Sequence, residues 1–159
     1  MLLLRRLWFY IWPLPITLLG LILAGMVKAT GGDCNRHGNA LEASNGAASR
    51  LLWLINPWGN IEAITLGHII LARDCATAAR LRSHEHTHVR QYERWGVIFP
   101  FAYLASSAMA VIKGGDAYRD NVFERAAFAA QRADVQADAK ATTRAPPVQP
   151  RPEHLNDLH

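Results

Sequence analysis

His84, Glu85, His86, Thr87 and His88 spell H-E-x-x-H. On a helix His84 and His88 fall about 40° apart on one face, so two imidazoles can converge on one metal ion while Glu85 projects beside them. This pattern suits a catalytic zinc: two neutral imidazole ligands, a third protein ligand from elsewhere, and a fourth position left to water. The neighbouring carboxylate then takes the proton from water attacking a carbonyl. A His-rich solvated helix face is the plain alternative. His86 points away from the pair and is given no ligand role.

The third ligand separates the types of zincin. The extended pattern H-E-x-x-H-x-x-G-x-x-H fails, because Gln91 stands at the Gly position and Arg94 at the last His position. A ligand Glu about twenty residues on also fails, since Ser106 to Met109 occupy that region. The next carboxylates are Asp116, Asp120 and Glu124. Glu124 sits in a helical stretch with Ala127 one turn on, a small residue that permits close approach to the His84 helix. It is the preferred ligand, with Asp120 next, against the plain reading of an exposed carboxylate pairing with Arg125 or Arg132. Tyr92, Tyr103 and Tyr118 are candidate hydroxyl donors, although buried tyrosines usually just pack. His68, alone on a strand, is read as structural.

Elements must position these groups. Asp74 to Thr77 supply helix-capping residues, and a helix is expected from Ala76 through Arg94 to a stop at Gly96. Before it, Ile61 to Ala72 is rich in β-branched residues around Gly67 and reads as a short strand or hairpin with a bulge or a close backbone approach at Gly67. After it, Val97 to Ile112 is a 16-residue apolar run, short for a membrane span and read as a buried or membrane-contacting helix. A further helix is expected over 120–140. Leu7 to Val27 carries no charge for 21 residues, enough to cross a bilayer, with Pro13 and Pro15 implying a kink and Trp8, Tyr10 and Trp12 suited to an interface. An uncleaved anchor is favoured over a signal peptide, because the apolar core is longer than such peptides use. Arg5 and Arg6 before it lean the orientation towards a domain outside the cytoplasm.

The division expected is therefore an N-terminal membrane anchor over 1–29, a Gly/Ala-rich linker over 30–60, a metal-binding domain over 61–140, and a Pro-rich disordered tail over 141–159. The fold class is α+β, mostly helical: a transmembrane helix followed by a minimal zincin-like core. With 159 residues in all, a large multidomain enzyme is excluded. Lys and Arg number 17 against 13 Asp and Glu, an excess of four too scattered for a nucleic-acid binder. Cys34 and Cys75 cannot make a disulfide framework, though they could form one bridge or stay as thiols.

Three runs together carry a resemblance: Ala63-Ile64-Thr65-Leu66-Gly67-His68-Ile69-Ile70, then His84 to Tyr92, then Tyr118 to Ala127. Over about residues 60 to 130 the chain resembles the small gluzincin-type metallopeptidase domains of bacteria. That resemblance implies a strand bordering the cleft, a zinc ion held by His84, His88 and Glu124, and Glu85 as general base. It also implies that Thr65, Leu66 and Gly67 line an exposed strand edge to which an extended peptide or protein substrate pairs. Val122 stands where the Asn-x-Phe-Glu pattern has Pro. Di-iron helical bundles need a second Glu-x-x-His half-site, and none is present. Histidine-box membrane oxygenases need several boxes, and there is one. The non-enzymatic alternative is a membrane-anchored binding or assembly protein with a structural or vestigial zinc; Glu85 discriminates, because only hydrolysis needs it.

Overall fold

The structure, a computed structural model, describes residues 8–57 and 61–144. A helical turn over 8–11 leads into α1 (Leu14–Ala29), followed by β1 (Asp33–His37), β2 (Ala40–Ser44), α2 (Ala48–Ile55), β3 (Ala63–Leu66) and β4 (Ile69–Ala72). The chain then becomes helical: α3 (Cys75–Trp95), a 3₁₀ turn over Gly96–Ile98, α4 (Phe99–Ile112) and α5 (Val122–Arg144). The class is α+β with a small mixed sheet. The strand order is β1-β2-β4-β3, with β2 and β4 parallel and the two outer pairs antiparallel.

β4 organises the interior. Ile69, Ile70, Leu71 and Ala72 are all buried, as expected of a strand covered on both faces. Ile69 and Leu71 meet Ala24 and Val27 of α1 and Leu51 and Leu52 of α2. Ile70, pointing the other way, meets Val89 of α3. The sheet is thus a middle layer between α1 and α2 on one side and α3 on the other.

One reading of the sequence changes here, and one open choice is decided. The stretch 30–60, expected to be an irregular linker, contains the β1–β2 hairpin and α2. Its strands are five residues each and turn at Gly38, whose φ is +56°. Of the strand or hairpin expected over 61–72, the hairpin forms: Gly67 with His68 makes the two-residue turn between two strands, and Gly67 makes a close approach to Thr17 in place of a bulge. The helices over 76–94, 97–112 and 120–140 fall within a few residues of expectation. Of the tail expected over 141–159, residues 141–144 continue α5 and the rest lies outside the described residues.

α1 is not separate from the domain. Thr17, Gly20, Ala24 and Val27 form a buried stripe, and a Cβ on Gly20 would stand 2.7 Å from Ile69 Cβ. The opposite face exposes Leu14, Leu18, Leu19, Ile22 and Met26. On α4, Phe101, Leu104, Val111 and Ile112 are likewise exposed. The two helices adjoin where the Trp12 ring covers Gly96. The helical stretch Cys75–Ile112 is long and apolar enough to cross a membrane by length and composition. Its last charged residue is Arg94, so α3 itself is polar and the apolar part is the Trp95–Ile112 half.

Local chemistry sets the bounds of α3. The Asp74 carboxylate accepts the Thr77 backbone N–H at 2.7 Å, an N-cap. Gly96 ends the helix with φ +55°. Cys34 and Cys75 are free thiols, Cys75 exposed beside Ser44 and Asn45.

Two outcomes follow from these contacts. Gly67 has φ +64° and an added Cβ would lie 2.1 Å from Thr17 Oγ1, so Gly67→Ala is expected to destabilise the fold by about 1–3 kcal/mol in chemical denaturation. The Asp74 carboxyl is held at about 2, below its ordinary 3.8, by the Thr77 N–H and then by Arg73. A lowered folded pKa gives stability that is present above pH 4 and is lost as pH falls towards 2. Asp74→Ala should therefore lower the melting temperature at neutral pH, and the deficit should close across that acid window.

Candidate metal centre

α3 carries His84 and His88 one turn apart on a face turned towards α5, and α5 returns Glu124 to them. All three are buried, and each offers a ligand atom within 4.8 Å of the others. His84 Nε2 lies 3.2 Å from His88 Nε2. The two carboxylate oxygens of Glu124 lie 3.2 Å from His84 Nε2 and 3.4 Å from His88 Nε2. Two ligands bound to one tetrahedral zinc at their usual lengths sit about 3.3 Å apart. The separations match that edge, the two contacts to Glu124 being made by its two different oxygens.

The donor set also fits a cation by its unsatisfied valence. Glu124 Oε2 is buried without a hydrogen-bond partner among the described residues, 3.2 Å from His84 Nε2. Burial alone would raise the Glu124 carboxyl, but the neighbouring His84 and His88 imidazoles bring it down to about 2. Burial likewise opposes charge on His88, and the carboxylates of Glu124 and Glu85 outweigh it, so its pKa is raised. A field that favours a proton there favours any cation. The described residues can hold a metal ion at this position.

Supporting contacts orient each ligand. Gln91 Oε1 stands 2.8 Å from His88 Nδ1, which leaves Nε2 as the ligating nitrogen, and the Gln91 amide donates to the Phe123 carbonyl at 3.0 Å. One side chain thus ties the His88 ring to the backbone next to Glu124. The Tyr103 hydroxyl donates to Glu124 Oε1 at 2.8 Å, and Tyr118 lies near the same carboxylate, whose charge adds to burial in raising the Tyr118 pKa. Asn121, fully buried, accepts the Phe123 N–H at the start of α5 and donates to the Tyr103 carbonyl and to Ser107. His84 Nδ1 has no such partner.

Glu85 is buried beside the trio. Its Oε2 accepts the Thr65 hydroxyl at 2.7 Å. Burial raises its pKa, only partly offset by His88 and Thr65, which suits a group that must take up a proton near neutral pH.

The other expected residues fall as follows. Thr65 reaches the site through Glu85. The Arg73 N–H bonds the Glu62 carbonyl, and with alternating register this turns the backbone groups of Ala63 and Thr65 towards the free edge of β3. Leu66 and Gly67 face the other way: a Gly20 Cβ would lie 3.0 Å from the Leu66 carbonyl, and Gly67 packs on Thr17. Their contacts are with α1, not with the metal centre. Asp120, the second candidate ligand, is exposed and caps the Asp116 N–H at 2.8 Å. His86 faces Glu42 at 3.8 Å. His68 stacks on Tyr10 and sits between Thr17 and Glu93, a structural tie from α1 to the turn. Tyr92 packs on Phe99.

Gln91 and Asn121 are supporting residues that reading the chain did not assign, and Tyr103, a candidate hydroxyl donor, gives its hydroxyl to Glu124. Asn121 was the legible one, because Asn121-x-x-Glu124 has the letters of a helix-capping box whose Glu is diverted to the histidines. No protein-family model matches the chain, and neither a curated protein nor a solved structure matches it.

Gln91→Leu should keep the fold and weaken binding of a divalent metal ion by about 10- to 100-fold in a chelator competition, with Gln91→Glu restoring much of it. Equal affinity in Gln91→Leu would remove Gln91 from this role.

Proposed function

We propose that this chain is a membrane-held zinc metallopeptidase that hydrolyses peptide bonds with metal-activated water. The observation that carries the reading is the Glu85 carboxylate, buried and hydrogen-bonded to Thr65 against a His-His-Glu trio. A zinc that only staples two helices has no use for that fourth, non-ligating carboxylate.

His84 and His88 would hold the ion through Nε2, and Glu124 through its carboxylate. When bound, zinc supplies a Lewis acid that acidifies water and stabilises negative charge at the attacked carbonyl. Glu85 accepts the proton of the attacking water at its carboxylate, and its raised pKa lets it carry that proton to the leaving amine. Thr65 holds Glu85 in place while its backbone, with that of Ala63, offers an extended substrate a strand to pair with. Gln91 and Tyr103 keep the ligands aimed during turnover.

Membrane attachment is the second part of the proposal. The exposed leucines of α1 and the exposed apolar face of α4 support it, since a soluble surface rarely carries so many large apolar side chains together. α1 is then an anchor that also forms one layer of the fold. The expectation of a single N-terminal pass rests on the 21 uncharged residues Leu7 to Val27, and that of an extracytoplasmic domain on Arg5 and Arg6 before them. Among the described helices α1 is the shorter apolar one, and the stretch long and apolar enough to span is Cys75–Ile112.

The full chain, purified in detergent, should carry about one zinc per molecule, and His84→Ala with His88→Ala should abolish it. Glu85→Gln should keep the zinc and lower hydrolysis of a peptide library by about 10²–10⁴-fold. Zinc unchanged in the double histidine variant would overturn the metal site. Zinc retained with no peptide hydrolysed would favour the binding or assembly protein.

A further inference from the structure

Beside the metal centre lies an open groove of about 1020 Å³ between the 116–121 loop and the first turns of α5. Arg119, Arg125 and Arg132 line it, together with Tyr118, Asp120 and Phe128. The arginines held in ion pairs elsewhere are Arg73, Arg80 and Arg82. Among the described residues no carboxylate pairs with the three in the groove. Asp120 is the one acid lining it, and its carboxylate is committed to the Asp116 N–H. Asp116 at the base of the same loop also faces Arg119, its carboxylate accepting the Arg119 backbone N–H at 2.6 Å, so three guanidinium groups stand against two carboxylates and still leave the groove cationic.

Its walls are also the walls of the site. Tyr118 lies near Glu124 and packs edge-on against Phe128 at 5.6 Å, and Phe128 packs edge-on against His84 at 5.0 Å. Arg125 follows Glu124 directly in the chain. A molecule seated among the arginines therefore touches the same side chains that touch the ligands.

Resting on the metallopeptidase reading, we propose that this groove is a subsite for acidic side chains, so that the substrates are peptides carrying Asp or Glu near the cleaved bond. Guanidinium groups pair with carboxylates through two parallel N–H donors, which gives orientation as well as attraction. The groove is concave and shares its aromatic walls with the ligand shell, which favours a peptide occupant over a flat anionic membrane surface. Unpaired arginines at an open cleft also raise the local concentration of acidic peptides.

The test uses the full chain in neutral detergent, loaded with zinc and carrying Glu85→Gln so that bound peptide persists. Fluorescein-labelled hexaglutamate should bind in an anisotropy titration, hexalysine should not, and added salt should weaken the binding. Arg125→Glu with Arg132→Glu should weaken hexaglutamate binding by about tenfold or more with zinc content unchanged, and Arg125→Gln with Arg132→Gln should give an intermediate loss. Equal hexaglutamate binding by both double variants and the parent overturns the proposal. So does unchanged peptide binding accompanied by loss of binding to phosphatidylserine vesicles, which would assign the arginines to the membrane. With Glu85 restored, acidic peptides bound but never cleaved would defeat the peptidase reading and leave the subsite standing. Cleavage with no preference for acidic over neutral peptides would do the reverse.

Discussion

Burying the Glu124 carboxylate beside two imidazoles is the constraint on which the rest of the metal centre depends. A carboxylate removed from water is stable only where positive charge or hydrogen-bond donors replace its hydration. His84, His88, Tyr103 and Tyr118 surround it for that purpose. The fully buried Ala127, one turn further along α5, lets the two helices come close enough for the trio to form. A larger side chain there would hold Glu124 away from the histidines. Asn121 starts α5 at the right residue, and Gln91 ties the two helices together at the same level. The packing of α5 on α3 and the chemistry of the site are one arrangement.

The sheet does a different job. β4 is apolar on both faces because a helix layer covers each, and that places Ile70 and Thr65 on the side of α3 while Ile69 and Leu66 face α1. Thr65 and Leu66 are neighbours in the chain, yet one supports Glu85 and the other lies under Gly20. The alternation of side chains along a strand makes that division unavoidable. α1 in turn is bound along its length through Thr17, Gly20, Ala24 and Val27. Its outer face is left to whatever apolar medium the chain meets.

Much of the metal centre was legible from spacing. H-E-x-x-H within a helical stretch, followed by a helix bearing Glu124 and Ala127, needs only helical periodicity to be read. The hairpin over Asp33–Ser44 was not legible, because its strands are short and interrupted by Asn, Gly and charged residues that resemble a linker. What makes them strands is the parallel pairing of Leu41–Ser44 with Ile69–Ala72, a partner about thirty residues away. Whether Ile61 to Ala72 forms one strand or a hairpin stayed open in the sequence for a related reason. A Gly-His pair is a weak local turn signal, and the turn is set by Gly67 closing onto Thr17 of a distant helix.

The sequence by itself determined the helix that aims His84, Glu85 and His88, the apolar runs that become α1 and α4, and the candidacy of Glu124, since these follow from residue types repeating along one helix or one run. Only the tertiary structure decided that Glu124 rather than Asp120 meets the histidines, that Thr65 alone of Thr65, Leu66 and Gly67 reaches Glu85, and that α1 forms part of the domain. Each of those outcomes depends on which faces of separate elements come into contact, and that choice is made by burial across the whole core rather than by any local pattern.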